Sequence, residues 1–177
     1  YIIELGHNNS DLDYVNTNSL SLINGLIRDV AGNDANLTLL EPGSSGSLSA
    51  NKALIVDAII PTVSSISSTT LDSIYNIGDT LVITVNFPET MLVDTSGGKP
   101  QLSLETGSVN AVVDYTSGSG STVLSFHYII IQDHTSEDLD YTGTAALTLN
   151  GGIIRDLAGN SATLTLPAPG ASGSLSA

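Results

Sequence analysis

Residues 80–87 read Thr-Leu-Val-Ile-Thr-Val-Asn-Phe, and this stretch decides the fold class. Its large apolar side chains stand at every second position, namely Leu81, Ile83, Val85 and Phe87. Successive side chains of a β-strand point to opposite faces, so this spacing places the four apolar groups on one face. The stretch therefore predicts a half-buried β-strand.

The same alternation recurs further along the chain, in residues 101–105, 111–115, 124–130 and 162–166. Clusters of Gly, Ser, Pro and Asn separate these stretches, and no apolar stripe with helical spacing is long enough for a helix. Roughly seven short strands at intervals of about 8–12 residues are typical of two antiparallel sheets packed face to face. We therefore predict an all-β fold, an antiparallel β-sandwich.

The chain resembles itself at an offset of 127 residues. Residues 1–50 align without a gap to residues 128–177, and 30 of the 50 aligned pairs are identical. Asp11-Leu12-Asp13-Tyr14, for example, matches Asp138-Leu139-Asp140-Tyr141. Such similarity indicates a tandem array of one structural unit.

The repeat divides the chain into one complete and one partial unit. Residues 57–177 are predicted to form the complete unit, and residues 1–56 the closing part of another unit together with a linker. A partial unit without its opening strands leaves its apolar face uncovered. We expect the chain to be an excerpt from a longer array, or residues 1–50 to be completed by strands from another chain.

Several short motifs together resemble the immunoglobulin-like tandem repeats of very large bacterial surface proteins and adhesins. They are Phe87-Pro88-Glu89 after a strand, Asp138-Leu139-Asp140-Tyr141, residues 147–152, residues 156–160, and the linker at 57–62. The resemblance covers the whole chain and implies immunoglobulin-like units in a non-catalytic stalk or filament at the bacterial cell surface. Its partners would be neighbouring repeats or copies of the same protein. The usual strand-end motif has Ser where Pro88 stands here, and the usual linker lacks Ile59 and Ile60.

Composition narrows the range of partners. The chain has 18 Asp and Glu against 4 Lys and Arg, a formal net charge of −14, and no Cys. It cannot neutralise a run of phosphates, so we expect neither nucleic acid nor anionic membrane surfaces as partners and favour cations. No apolar run approaches the length of a membrane span, so we expect no membrane insertion. His7, His127 and His134 stand without a recognisable nucleophile motif, and we do not expect an enzyme.

The acidic doublets suggest calcium. In an extended segment Asp11 and Asp13 point to one side, within about 7 Å of each other, and the same holds for Asp138 and Asp140. Two carboxylates this close repel each other unless a cation lies between them. Ca²⁺ takes 6–8 oxygen ligands from carboxylates and carbonyls, which these segments offer.

An immunoglobulin-like strand order predicts which acids meet. The loop before the sixth strand lies where the chain leaves a unit, and the loops after the second and sixth strands lie where it enters. We therefore predict a calcium site at the junction between units, a scheme that resembles the junctions of cadherins. The predicted ligands are Asp11, Asp13, Asp57 and Glu89, together with Asp156 and Asn160, while Asp138 and Asp140 would serve the following junction.

Three alternatives stay open from the sequence. Asp29 and Asp156 begin Asp-x-x-Gly-Asn stretches, in which the carboxylate can instead cap backbone amides of its own turn. The divergent loops at residues 6–9 and 133–136 leave room for a module that binds a surface glycan or a host ligand at its loop tips. The uncovered partial unit is also compatible with a subunit that exchanges strands in an extracellular polymer.

Overall fold

A computed structural model describes all 177 residues, which divide into two compact units, Tyr1–Ile59 and Ile60–Ala177. The first unit has little regular structure. Strand β1 (Asn8–Asn9) pairs antiparallel with strand β2 (Val56–Asp57), and one helical turn, α1 (Leu48–Asn51), precedes β2. The side-chain oxygen of Ser47 caps that turn by accepting a hydrogen bond from the N–H of Ala50.

The second unit contains one antiparallel sheet of eight strands. These are β3 (Ser65–Ser68), β4 (Thr80–Asp94), β5 (Gln101–Glu105), β6 (Ala111–Ser117), β7 (Ser121–Ile129), β8 (Asp140–Tyr141), β9 (Leu147–Thr148) and β10 (Ile153–Asp156). The sheet order is β10-β4-β7-β6-β5-β8, with β3 also beside β4 and β9 also beside β5. The sheet curls into a half-barrel, and the prediction of a β-rich antiparallel fold is confirmed.

The predicted strands agree with the structure except at one place. Residues 101–105 coincide with β5, and residues 111–115 and 124–130 fall largely within β6 and β7. The strand predicted at residues 162–166 is wrong, because this segment forms only an isolated bridge between Thr163 and Thr62. Its alternation still buries Leu166 and half-buries Leu164. The alternation therefore predicted which side chains are buried, although this segment does not form a continuous ladder of backbone hydrogen bonds.

The core of the second unit is built from the apolar faces of these strands. Val85, Leu102, Leu104, Leu124 and Phe126 are fully buried in a single apolar cluster. Burying an aliphatic or aromatic side chain of this size contributes about 1.5–3 kcal/mol. These strands therefore hold the second unit together through their alternating apolar faces.

Strand β4 contains an irregularity that shapes one end of the sheet. Its register with β7 shifts between Asn86 and Met91, where Pro88 has no N–H to give to the ladder. Before the irregularity β4 also pairs with β3, and after it β4 pairs with β10, with Met91 opposite Asp156. The interruption therefore places Glu89 beside the end of β10.

Candidate metal site

Glu89 and Asp156 lie close together in the second unit. A carboxylate oxygen of Glu89 lies within 4.8 Å of one of Asp156. Glu89 is half-buried, whereas Asp156 has no exposed surface at all. The structure therefore brings together two of the acids that the sequence assigned to one end of this unit.

The carboxylate of Asp156 also organises the turn that follows β10. Its Oδ1 accepts hydrogen bonds from the N–H of Gly159 at 2.7 Å and of Asn160 at 2.8 Å. Its Oδ2 accepts a hydrogen bond from the side-chain amide of Asn160, also at 2.8 Å. The turn role considered for Asp156 is thus confirmed, and Asn160 acts as its partner within the turn.

Two nearby carboxylates favour a cation between them. At an effective dielectric constant of about 20, two unit charges within 4.8 Å of each other repel by at least about 3 kcal/mol. Three hydrogen bonds hold the buried carboxylate of Asp156 in a fixed orientation. A divalent cation bound to both oxygens would turn the repulsion into attraction, and hard oxygen donors suit Ca²⁺.

The other acids predicted in the linker and first unit have local partners there. Asp57 ends β2, is half-buried, and its Oδ1 accepts a hydrogen bond from the N–H of Ile59 at 3.1 Å. Asp11 is exposed, and its N–H donates to the side chain of Asn9. Their predicted roles as calcium ligands stay predictions.

Asp13 and Asp140 form the same network in the two copies of the repeat. The carboxylate of Asp140 accepts hydrogen bonds from the N–H of Tyr141 at 2.8 Å, the N–H of Gly170 at 3.0 Å and the hydroxyl of Ser176 at 2.6 Å. The equivalent donors to Asp13 lie at 2.9, 3.1 and 2.6 Å and are Tyr14, Gly43 and Ser49. Each aspartate therefore fastens a distant loop to its own stretch of backbone.

These networks explain the acidity of both aspartates. Burial acts to raise the pKa of Asp140, but the hydrogen bonds from Ser176, Tyr141 and Gly170 outweigh it and hold the pKa below its usual value. The pKa of Asp13 is lowered for the same reasons, with Ser49 as the strongest donor. Asp138, in contrast, is exposed, so the doublet has one buried and one solvent-facing member. Calcium ligation by the doublets stays a prediction.

Two further contacts recur at the same offset and were not inferred from the sequence. The hydroxyl of Tyr141 donates to the carbonyl of Pro167 at 2.7 Å, and that of Tyr14 donates to the carbonyl of Leu40 at 2.6 Å. Tyr128 stacks on His134, and Tyr1 stacks on His7, with ring centroids 5.7 Å apart in both pairs. The identity of the tyrosines and histidines in both copies was a signal for the contacts, but it did not reveal the partners of the tyrosines.

Comparison with known proteins gives no further constraint. No family model matches the chain, and neither the curated proteins nor the solved structures contain a significant match. The structure contains no helix with the length and apolar character needed to cross a bilayer.

Proposed function

We propose that this chain is a structural or adhesive module of a bacterial extracellular repeat protein. Its units would be immunoglobulin-like sandwiches joined in a stalk or filament, with calcium stiffening the junctions. The single observation that carries the proposal is the hydrogen-bond network of Asp13, which recurs 127 residues later at Asp140.

The residues that recur are those that hold loops in place. Asp140 ties down residues 170 and 176, and Tyr141 ties down residue 167, as their counterparts do in the first copy. A catalytic or ligand-specific residue has no need to recur in each unit, whereas a residue that maintains a fold does. Because the residues shared by the two copies make structural contacts, they support the proposal that the repeated unit has a structural role.

The calcium part of the proposal centres on Glu89 and Asp156. Their oxygens are close enough to bind one ion, and the Asp156 oxygens are already oriented by the turn. Asp57 in the linker and Asn160 in the turn are the next proposed ligands. Asp11 and Asp13, and Asp138 and Asp140 for the following junction, complete the proposed set, although Asp13 and Asp140 already accept three hydrogen bonds each.

Thermal unfolding with and without calcium tests this site. Extracellular modules bind Ca²⁺ with dissociation constants of about 10⁻⁴–10⁻³ M, so 10 mM Ca²⁺ should stabilise the folded state by roughly 1.4–2.7 kcal/mol. We expect the midpoint of unfolding to rise by several degrees in Ca²⁺ relative to EGTA, and to respond much less to Mg²⁺.

Two glutamate variants make the thermal measurement specific. Glu89→Gln removes one proposed ligand and should abolish the calcium response, while Glu137→Gln, at an exposed position, should retain it. An equal calcium response in both variants, or none in the unmodified chain, would remove Glu89 and Asp156 as a calcium site.

A further inference from the structure

The end of the first unit is bound to an earlier loop of the same unit. Residues 54–58, here called the connector, run antiparallel to residues 6–12 and contain strand β2, which pairs with β1. Three backbone hydrogen bonds of 2.8 Å extend this pairing at its two ends: from the N–H of Gly6 to the carbonyl of Ala58, from the N–H of Ala58 to the carbonyl of His7, and from the N–H of Leu12 to the carbonyl of Leu54. The connector is therefore bound along its whole length.

Burial adds to this pairing. The side chain of Val56, in β2, is only 4% exposed, and it lies outside the apolar cluster that forms the core of the second unit. Its neighbour Ile55 is 74% exposed, as expected for a strand in which successive side chains point to opposite sides. Complete burial of a valine side chain contributes about 1.5–3 kcal/mol. The connector is therefore a structural part of the first unit and not a free tether.

The first residues of the second unit are bound to that unit in a similar way. The carbonyl of Pro61 accepts a hydrogen bond from the N–H of Thr163 at 2.9 Å, and Thr62 forms a parallel bridge with Thr163. The N–H of Ser64 donates to the carbonyl of Asn86, in β4, at 2.8 Å. From Pro61 onward the backbone therefore belongs to the second unit.

Two residues, Ile59 and Ile60, lie between these bound stretches and are here called the hinge. Neither takes part in a backbone-to-backbone hydrogen bond, and the N–H of Ile59 donates within its own turn, to Oδ1 of Asp57 at 3.1 Å. The boundary between the two compact units falls at the same point, since the first ends at Ile59 and the second begins at Ile60. The hinge is therefore the part of the chain that neither unit holds by its backbone.

Pro61 limits the hinge on one side. Its ring holds its own φ at about −65° and disfavours the helical region for the preceding residue, Ile60. Ile59 is not followed by proline, so it keeps more backbone freedom than Ile60 does. Rotation about the φ and ψ angles of two residues is thus all the freedom that the backbone has between the two bound stretches.

We propose that bending between the two units is confined to the hinge, while the connector stays bound to residues 6–12 in the presence or absence of calcium. Backbone hydrogen bonds and the burial of Val56 require no cation. The hinge goes beyond the proposed function and does not rest on it, because it follows from contacts within each unit. If calcium stiffens a junction, its effect is then limited to Ile59 and Ile60.

Hydrogen exchange of the unmodified 177-residue chain in EGTA tests whether the connector is bound. The amides of Leu12 and Ala58 donate to backbone carbonyls, whereas that of Ile60 donates to none. We expect Leu12 and Ala58 to exchange at least about 100-fold more slowly than unstructured amides of the same sequence, and Ile60 to exchange within about 10-fold of the unstructured rate, as resolved for single amides by NMR. Similar protection of all three amides, in a chain whose second unit is folded, would overturn the proposal.

Two matched glycine substitutions test where the chain bends. Ile60→Gly frees the hinge, and Ile55→Gly makes the same change at an exposed position inside the connector. The chain lacks cysteine, so Ala31→Cys in the first unit and Asn110→Cys in the second, both exposed, carry one spin label each. We expect the distribution of distances between the labels, measured in EGTA, to widen with Ile60→Gly and to stay unchanged with Ile55→Gly.

Both opposite outcomes count against the proposal. An equal widening in the two variants would show that the connector bends as well, and no widening with Ile60→Gly would show that the hinge does not set the range of motion. The calcium response of Glu89→Gln is measured by thermal unfolding and does not depend on these results. The hinge and the calcium site can therefore fail separately.

Discussion

Substituting the equivalent leucine in each copy of the repeat by alanine tests which copy is packed into a core, because the loss of stability depends on how deeply the leucine is buried. Leu147 and Leu20 occupy the same repeat position, but Leu147 is 3% exposed and Leu20 is 44% exposed. Leu147→Ala removes about three carbon groups from a closed core, worth roughly 2.4 kcal/mol in transfer free energy, and leaves a cavity that adds to the cost. We expect a loss of about 2–4 kcal/mol in the free energy of unfolding of the second unit.

Leu20→Ala leaves no closed cavity, because its side chain is already partly in water. We expect this variant to change the free energy of unfolding by less than about 1 kcal/mol and to leave the second unit unaffected. Urea denaturation followed by circular dichroism measures the loss, and hydrogen exchange with mass spectrometry assigns it to a unit. Equal losses for the two variants would refute the conclusion that residues 128–177, but not residues 1–50, are packed into a core.

Three further substitutions test the structural contacts. Asp140→Asn should destabilise the second unit by about 2 kcal/mol at neutral pH through its lost charge-assisted hydrogen bonds. The pKa of Asp140 is lower in the folded state than in the unfolded state, where it is about 3.9, so its stabilising effect is present above that pH and is lost as the pH falls below it. The free energy of unfolding should therefore fall less steeply with acid in Asp140→Asn than in the unmodified chain. The exposed control Asp72→Asn should show the same pH dependence as the unmodified chain. Gly98→Ala should lower the free energy of unfolding by more than about 3 kcal/mol, because its Cβ would lie 1.9 Å from a backbone oxygen. Gly120→Ala has open space around the new Cβ and should lower it by about 1 kcal/mol. Similar denaturation midpoints for the two variants would contradict this prediction. Tyr141→Phe should lose about 1 kcal/mol with its hydrogen bond to a carbonyl, measured by urea denaturation, and an unchanged midpoint would show that the bond is not formed.

The strands were predictable because their side chains alternate. Residues 80–87 and 101–105 have one wholly apolar face each, and both are strands in the structure. The continuation of β4 to Asp94 was not predictable, because Pro88 and Glu89 break the alternation while the backbone resumes pairing beyond them. The local alternation of apolar and polar residues indicates which way a side chain faces. Backbone hydrogen bonding between strands also depends on a partner strand that lies elsewhere in the sequence.

The candidate site was accessible from the sequence only in part. Topology placed Glu89 and the turn at residues 156–160 at one end of the unit, and the structure brings Glu89 and Asp156 within 4.8 Å. The structural role of Asp140 was not predictable, since two of its three donors lie 30 and 36 residues away and no spacing rule connects them. From the sequence, Asp140 was therefore predicted only as a calcium ligand, and nothing in the spacing indicated that it anchors a loop.

Small-angle scattering from three successive copies of residues 51–177 tests the central claim most directly. If the units are structural beads with calcium-dependent joints, the maximum dimension in Ca²⁺ should grow by roughly 40 Å per copy, the length of strands of 7–10 residues with their loops. In EGTA, or with Glu89→Gln in every copy, the same polypeptide should sample more compact arrangements. Identical scattering profiles in Ca²⁺ and EGTA would contradict the claim.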